Sequence, residues 1–187
     1  CHGEMKGTER FVGVRFTMAA CMQCHQQKGG NNACQTCHRE LRADRADGFV
    51  LDNVKVRHFN EHAVYVIETD GFQLDRLKTA YNGEYGVLTF VADHALIQNC
   101  DAWGNGDSGI YPGASADLGD AVPPNQRRYG NEIRNCDMHH NAAGYSGTDG
   151  NSVWVHNNEF YDNALGFTTD VFTAPGHPGF PQDSDLV

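Results

Sequence analysis

Val50-Leu51-Asp52-Asn53-Val54, Gln73-Leu74-Asp75-Arg76-Leu77, Leu96-Ile97-Gln98-Asn99-Cys100, Glu132-Ile133-Arg134-Asn135-Cys136 and Trp154-Val155-His156-Asn157-Asn158 can be laid over one another. A second series follows them: Ala63-Val64-Tyr65, Gly86-Val87-Leu88, Gly109-Ile110-Tyr111, Gly144-Tyr145-Ser146 and Gly166-Phe167-Thr168. The first series steps by 23, 23, 36 and 22 residues and the second by 23, 23, 35 and 22. Two independent markers that keep one period and share one insertion define a solenoid.

Within each coil the first series alternates apolar and polar residues, the period of a half-buried strand. A turn, a short second strand and a Gly- or Asp-containing turn such as Thr69-Asp70-Gly71 or Thr148-Asp149-Gly150 complete it. Helical repeats would need a 3.6-residue period, which is absent, and leucine-rich repeats would need their Leu and Asn consensus. The expected fold is therefore all-β: residues 42–187 form a right-handed parallel β-helix of coils 22–23 residues long, incomplete at the C-terminus. A small irregular Cys-rich segment, residues 1–41, precedes it.

Stacked coils turn equivalent positions into columns about 4.8 Å apart. Leu51, Leu74, Ile97, Ile133 and Val155 form one inward column. Val54, Leu77, Cys100, Cys136 and Asn158 form a second, and Val56, Thr79, Ala102, Met138 and Phe160 a third. Cys100 and Cys136 fall in adjacent coils, close enough to touch, and are expected as buried thiols, with a disulfide as the alternative. Asn82, Asn105, Asn141 and Asn163 are expected to bond corner backbone between coils. This ladder, with the coil pattern over residues 42–187, resembles the right-handed β-helix proteins of the pectate-lyase-like superfamily. That superfamily includes lyases, hydrolases, epimerases and binding proteins, so the resemblance implies the fold and names no reaction.

The acidic excess, 24 Asp and Glu against 14 Lys and Arg, argues against binding nucleic acid by counterion release. An acidic polysaccharide would need a bound cation or a local basic patch. No apolar run approaches the roughly 18 residues of a membrane span. Both ends read as cut: the chain opens at Cys1-His2, and Asp185-Leu186-Val187 reads like the start of another strand.

The N-terminal segment holds Cys21-Met22-Gln23-Cys24-His25 and Cys34-Gln35-Thr36-Cys37-His38. Both are C-x-x-C-H, the attachment signature of c-type haem, in which the thiols bond the porphyrin and the His ligates iron. Two haems would use Cys21, Cys24, His25, Cys34, Cys37 and His38, with His25 and His38 on iron. Zinc held by Cys21, Cys24, Cys34 and Cys37, or two disulfides, fits the same spacing. The run Cys1 to Arg39 resembles the haem-dense segments of small multihaem cytochromes c. The charged run 40–47 reads as a linker or a cap over the first coil.

Asp107, His139 and His140 are expected on nearby corners of consecutive coils, with Asp149 and Asp170 closing the next corner. Such carboxylates and imidazoles suit acid, base or cation-ligand roles in cleaving a glycosidic bond or abstracting a sugar C5 proton; calcium is left open. Alternation along a strand predicts that one of His139 and His140 faces in and the other out. His156 is expected on a solvated outer face. The insertion around residues 114–128 and the Pro-rich run 175–183 are expected as loops beside the functional face. The expected function is an extracytoplasmic, periplasmic or secreted β-helix that binds a polysaccharide or glycan surface and cleaves or epimerises it. The alternatives are electron transfer to a redox partner, with the solenoid as docking scaffold, and a structural or adhesive solenoid.

Overall fold

The computed structural model describes residues 41–115, 129–150, 152–169 and 185–186. Leu41–Asp44 (β1), Val50–Asp52 (β2) and Lys55–Arg57 (β3) open a cycle of three strands. It repeats as Val64–Ile67 (β4), Gln73–Asp75 (β5), Lys78–Ala80 (β6), Val87–Phe90 (β7), Leu96–Gln98 (β8) and Asp101–Trp103 (β9). Ser108–Gly113 (β10), Asn131–Arg134 (β11), Asp137–His139 (β12), Ala143–Tyr145 (β13), Val153–His156 (β14), Glu159–Tyr161 (β15), Leu165–Phe167 (β16) and Asp185–Leu186 (β17) complete the order. Each strand pairs in parallel with its equivalent one coil away, which gives three sheets. The first runs β1-β4-β7-β10-β13-β16, the second β2-β5-β8-β11-β14-β17 and the third β3-β6-β9-β12-β15.

Such short strands can form a closed coil because single residues turn the corners. Asn53, Arg76, Asn99, Asn135 and Asn157, between the second and third sheets, have φ from 53° to 56°. His58, Tyr81, Gly104, His140 and Asp162 turn the chain out of the third sheet with φ from 55° to 64°. Arg45, Glu68, Val91 and Ala114 do the same after the first sheet. The left-handed conformation costs a non-glycine residue free energy, and bonding between coils on both sides offsets that cost.

The inward columns are those read from the sequence. Leu51, Leu74, Ile97, Ile133 and Val155 are register partners, as are Val56, Thr79, Ala102, Met138 and Phe160. Leu74, Ile133, Met138, Val87 and Ile110 are fully buried, each burial worth about 2 kcal/mol. Cys100 and Cys136 are free, buried thiols. The hydrogen bond with Cys100, then burial, pushes the Cys136 thiol well above its ordinary range.

The asparagine ladder lines the corner between the third and first sheets. Asn82 Oδ1 accepts from Phe59 N at 3.1 Å, Asn105 Oδ1 from Asn82 N at 3.3 Å, Asn141 Oδ1 from Asn105 N at 2.9 Å and Asn163 Oδ1 from Asn141 N at 2.9 Å. Their Nδ2 groups donate back to third-sheet carbonyls, Asn141 to Ala102 O at 2.9 Å and Asn163 to Met138 O at 2.8 Å. Asn105, Asn141 and Asn163 thus each satisfy an amide and a carbonyl of the preceding coil, while Asn82 Nδ2 donates to Asn105 Oδ1 at 2.7 Å. At this corner a Cβ on Gly106 would lie 2.1 Å from Gly83 O, so the backbones stack too closely for any side chain.

Three expectations are refined. The charged run 40–47 supplies β1, because Leu41, Arg42, Ala43 and Asp44 pair with Val64, Tyr65, Val66 and Ile67. Asp185 and Leu186 do start another strand, pairing with Val153 and Trp154. The insertion leaves after β10, on the corner between the first and second sheets, where Ser115 bridges Gly150. Residues 116–128 and 170–184, including the Pro-rich run 175–183, lie outside the described residues.

Replacing Asn105 by Ala removes the acceptor for Asn82 N and leaves that buried amide unpaired. Urea unfolding should show a loss of about 3 kcal/mol; a loss below about 1 kcal/mol would mean that the ladder does not hold the coils.

Candidate functional site

Third-sheet strands are three residues long, so the middle residue faces in and the two flanking residues face out. One outward column reads Lys55, Lys78, Asp101, Asp137, Glu159 and the other Arg57, Ala80, Trp103, His139, Tyr161. The face is therefore basic over its first two coils, and acidic and aromatic over the last three.

His139 is sandwiched in the aromatic column. Its ring stacks on Tyr161 with centroids 4.6 Å apart and planes 7° from parallel, and on Trp103 at 6.0 Å and 4°. Its Nε2 lies 3.1 Å from Asp101 Oδ1 and its Nδ1 2.7 Å from His140 Nδ1. His140 is exposed and has Nε2 3.8 Å from Asp162 Oδ2. Burial, followed by the charges of Asp137, Asp101, Glu159 and Asp162, raises the Tyr161 phenol. Alternation had placed one of the two histidines inside, yet both face outward. The left-handed turn at His140, φ 56°, ends the strand there, and strand alternation does not extend past it.

Beside this stripe the corner opens into a shallow concavity of about 510 Å³ lined by His58, Asn60, Tyr81, Gly83, Gly104 and Gly106. Tyr81 is 55% exposed, stacks on His58 at 5.7 Å and meets Trp103 edge-on at 6.2 Å.

Asp107 lies at the first-sheet side of the same corner, leading into β10. Ser108 Oγ donates to its Oδ1 at 2.8 Å and lies 2.5 Å from Ser146 Oγ. Tyr85 also bonds Asp107; burial first, then that carboxylate, pushes the phenol up to about 12. Tyr85 packs on Tyr111 at 4.8 Å and on His62 at 5.2 Å. Asp107 and the His139-His140 pair thus share one corner but bond different partners. Asp149 is buried with φ 54° on another corner, beside the Ser115 to Gly150 bridge. Asp170 lies outside the described residues, as do Cys21, Cys24, His25, Cys34, Cys37 and His38. Among the described residues no group of three or more His, Cys, Asp or Glu side chains is placed to hold a metal ion.

Sequence reasoning missed the aromatic column. Its signal was available one position after the inward column Val56, Thr79, Ala102, Met138, Phe160. It also missed the bonding on the outer face of the second sheet. There His156, expected to be solvated, stacks on Trp154 at 3.9 Å and meets Glu132 Oε1 at 3.1 Å. Arg134 bridges Glu132 and Gln98, and Gln98 donates to Asp75 at 2.8 Å. Hydrogen bonds from Asn99, then Gln98, and the Arg76 charge outweigh burial and hold the Asp75 carboxyl below its usual range.

A family model described as the right-handed beta helix region matches residues 30–170. The chain belongs to that family. No curated protein and no solved structure matches the β-helix. Among its described residues no helix is long and apolar enough to cross a membrane.

Tyr85 tests the corner's electrostatics. Its folded pKa is raised, so the stability it supplies is complete below the unfolded value of about 10 and is lost as pH rises through about 12. In ¹³C-tyrosine NMR one phenol should titrate near about 12 and be missing in Tyr85→Phe. Asp107→Asn should lower that midpoint, and an unmoved midpoint would contradict the assigned contact.

Proposed function

We propose that this β-helix is an extracytoplasmic protein that binds a polysaccharide along the outer face of its third sheet. The observation that carries the reading is the outward stripe formed by Lys55, Arg57, Lys78, Trp103, His139 and Tyr161 across five coils, with Tyr81 of the adjoining corner meeting Trp103. A rigid ladder with an advance of about 4.8 Å per coil suits an extended polymer. Aromatic rings supply apolar surface for the C–H faces of sugars, and flanking polar groups fix orientation. Lys55, Arg57 and Lys78 form the local basic patch that an acidic polysaccharide would need on a chain of net charge −10.

The chain has two tryptophans, so Trp154→Phe leaves Trp103 as a reporter within the stripe. Titration with oligosaccharides of graded charge should shift its emission. Tyr161→Ala in that background should weaken binding at least about tenfold, equivalent to about 1.4 kcal/mol. Unaltered affinity would rule out this face. Turnover by lyase, hydrolase or epimerase chemistry is a further step of the same reading. It is assigned to Asp107 and His139 only if Asp107→Ala and His139→Ala abolish it.

A second reading rests on the two C-x-x-C-H motifs. In it, residues 1–41 carry covalent haem and the solenoid docks a redox partner. Expression with c-type maturation machinery should then give a pyridine haemochrome spectrum with two haems per chain. Stoichiometric zinc without covalent haem would replace this reading.

A further inference from the structure

Charge on the third-sheet face is sorted by coil rather than neutralised by pairing. Among the described residues Arg42, Arg45, Arg76 and Arg134 pair with Asp44, Glu68, Asp52 and Glu132 in turn. Lys55, Arg57 and Lys78 are exposed and, among the described residues, meet no carboxylate. These three cations lie together. Lys55 and Lys78 are register partners one coil apart, about 4.8 Å, and Arg57 follows Lys55 by two positions, about 6.6 Å. Ala80, the register partner of Arg57, carries no charge. Asp101 comes next in register after Lys78, yet its Oδ1 lies 3.1 Å from His139 Nε2 in the following coil. The same column continues as Asp137 and Glu159. Positive charge is thus concentrated on β3 and β6, and negative charge on β9, β12 and β15. A chain of net charge −10 has carboxylates to spare, but the register holds them away from this cluster, which leaves it open to an external anion.

We propose that this face selects an oligosaccharide whose negative charge is confined to one end. The inference rests on the polysaccharide reading and adds to it the ligand's charge distribution and its direction across the coils. The charged end is an oxyanion, a phosphate, sulfate or carboxylate, and it lies over Lys55, Arg57 and Lys78. The uncharged sugars that follow cross β9, β12 and β15. There Trp103 and Tyr161 supply apolar surface, and Asp137 and Glu159 accept hydrogen bonds from hydroxyl groups. A polymer charged on every sugar fits badly, because its later charges fall against the acidic column and like charges brought together suppress binding. An uncharged chain leaves the three cations without a partner. The face therefore discriminates by where the charge lies along the ligand.

The test measures affinity on the full chain in the Trp154→Phe background, by calorimetry and by Trp103 emission. The probes are hexamers of β-1,4-linked glucose, mannose or galactose, either uncharged or with one phosphate, sulfate or carboxylate at either end. Hexagalacturonate, charged on every sugar, completes the set. An end-charged hexamer should bind at least about fivefold more tightly than its uncharged parent and than hexagalacturonate. Lys55→Ala with Lys78→Ala should remove that advantage, and Asp137→Asn with Glu159→Gln should tighten hexagalacturonate. Added sodium chloride should weaken the end-charged hexamer and strengthen hexagalacturonate, since it screens attraction in one and repulsion in the other. Equal affinity for uncharged and end-charged hexamers would overturn the inference and leave the polysaccharide reading standing. Tighter binding of hexagalacturonate than of every end-charged hexamer would do the same. Should no probe bind, the polysaccharide reading falls and this inference falls with it.

Discussion

A parallel coil exposes its backbone at every corner, and at the corner between the third and first sheets the neighbouring coils bury those groups. Asn82, Asn105, Asn141 and Asn163 resolve this by each accepting from one amide of the preceding coil, and the last three also donate to its carbonyls. An unpaired buried amide costs about 1–3 kcal/mol, so this ladder couples each coil to the next. At the corner between the second and third sheets Asn158 plays the same part for Cys136 N and Ile133 O. Cys136 Sγ in turn receives Cys100 N at 3.4 Å.

The locked register gives the outer faces their chemistry. Side chains one coil apart must meet, so Trp103, His139 and Tyr161 stack without further instruction. The same constraint brings Asp101 against His139, and the left-handed turn at His140 returns the second imidazole to the first. Charge follows the register as well: the basic residues occupy the first coils of the third sheet and the acidic residues the last.

Much of this was legible in the chain. The period fixed the inward columns, the free thiols and the asparagine ladder, because those positions repeat residue type as well as spacing. The outer columns do not repeat type: Arg57, Ala80, Trp103, His139 and Tyr161 share a position and little else, so their contact emerges only once register is imposed. The left-handed corners were also hidden. Asn53, Asn99, Asn135 and Asn157 are residues that tolerate that conformation, whereas Glu68, Val91 and His140 give no such sign. That is why His140 was expected to alternate with His139. The insertion was expected beside the functional face that includes Asp107, but it leaves the coil at the other end of β10, roughly 20 Å from Asp107 at about 3.3 Å per residue.

The central claim is that buried carboxamides hold the coils in register, and exchange of the asparagine side-chain NH₂ protons measures this directly. The Nδ2 protons of Asn105 and Asn141 should exchange far more slowly than those of Asn135 and Asn157, which lie exposed at the opposite corner. Exchange at equal rates for the two groups would contradict the account.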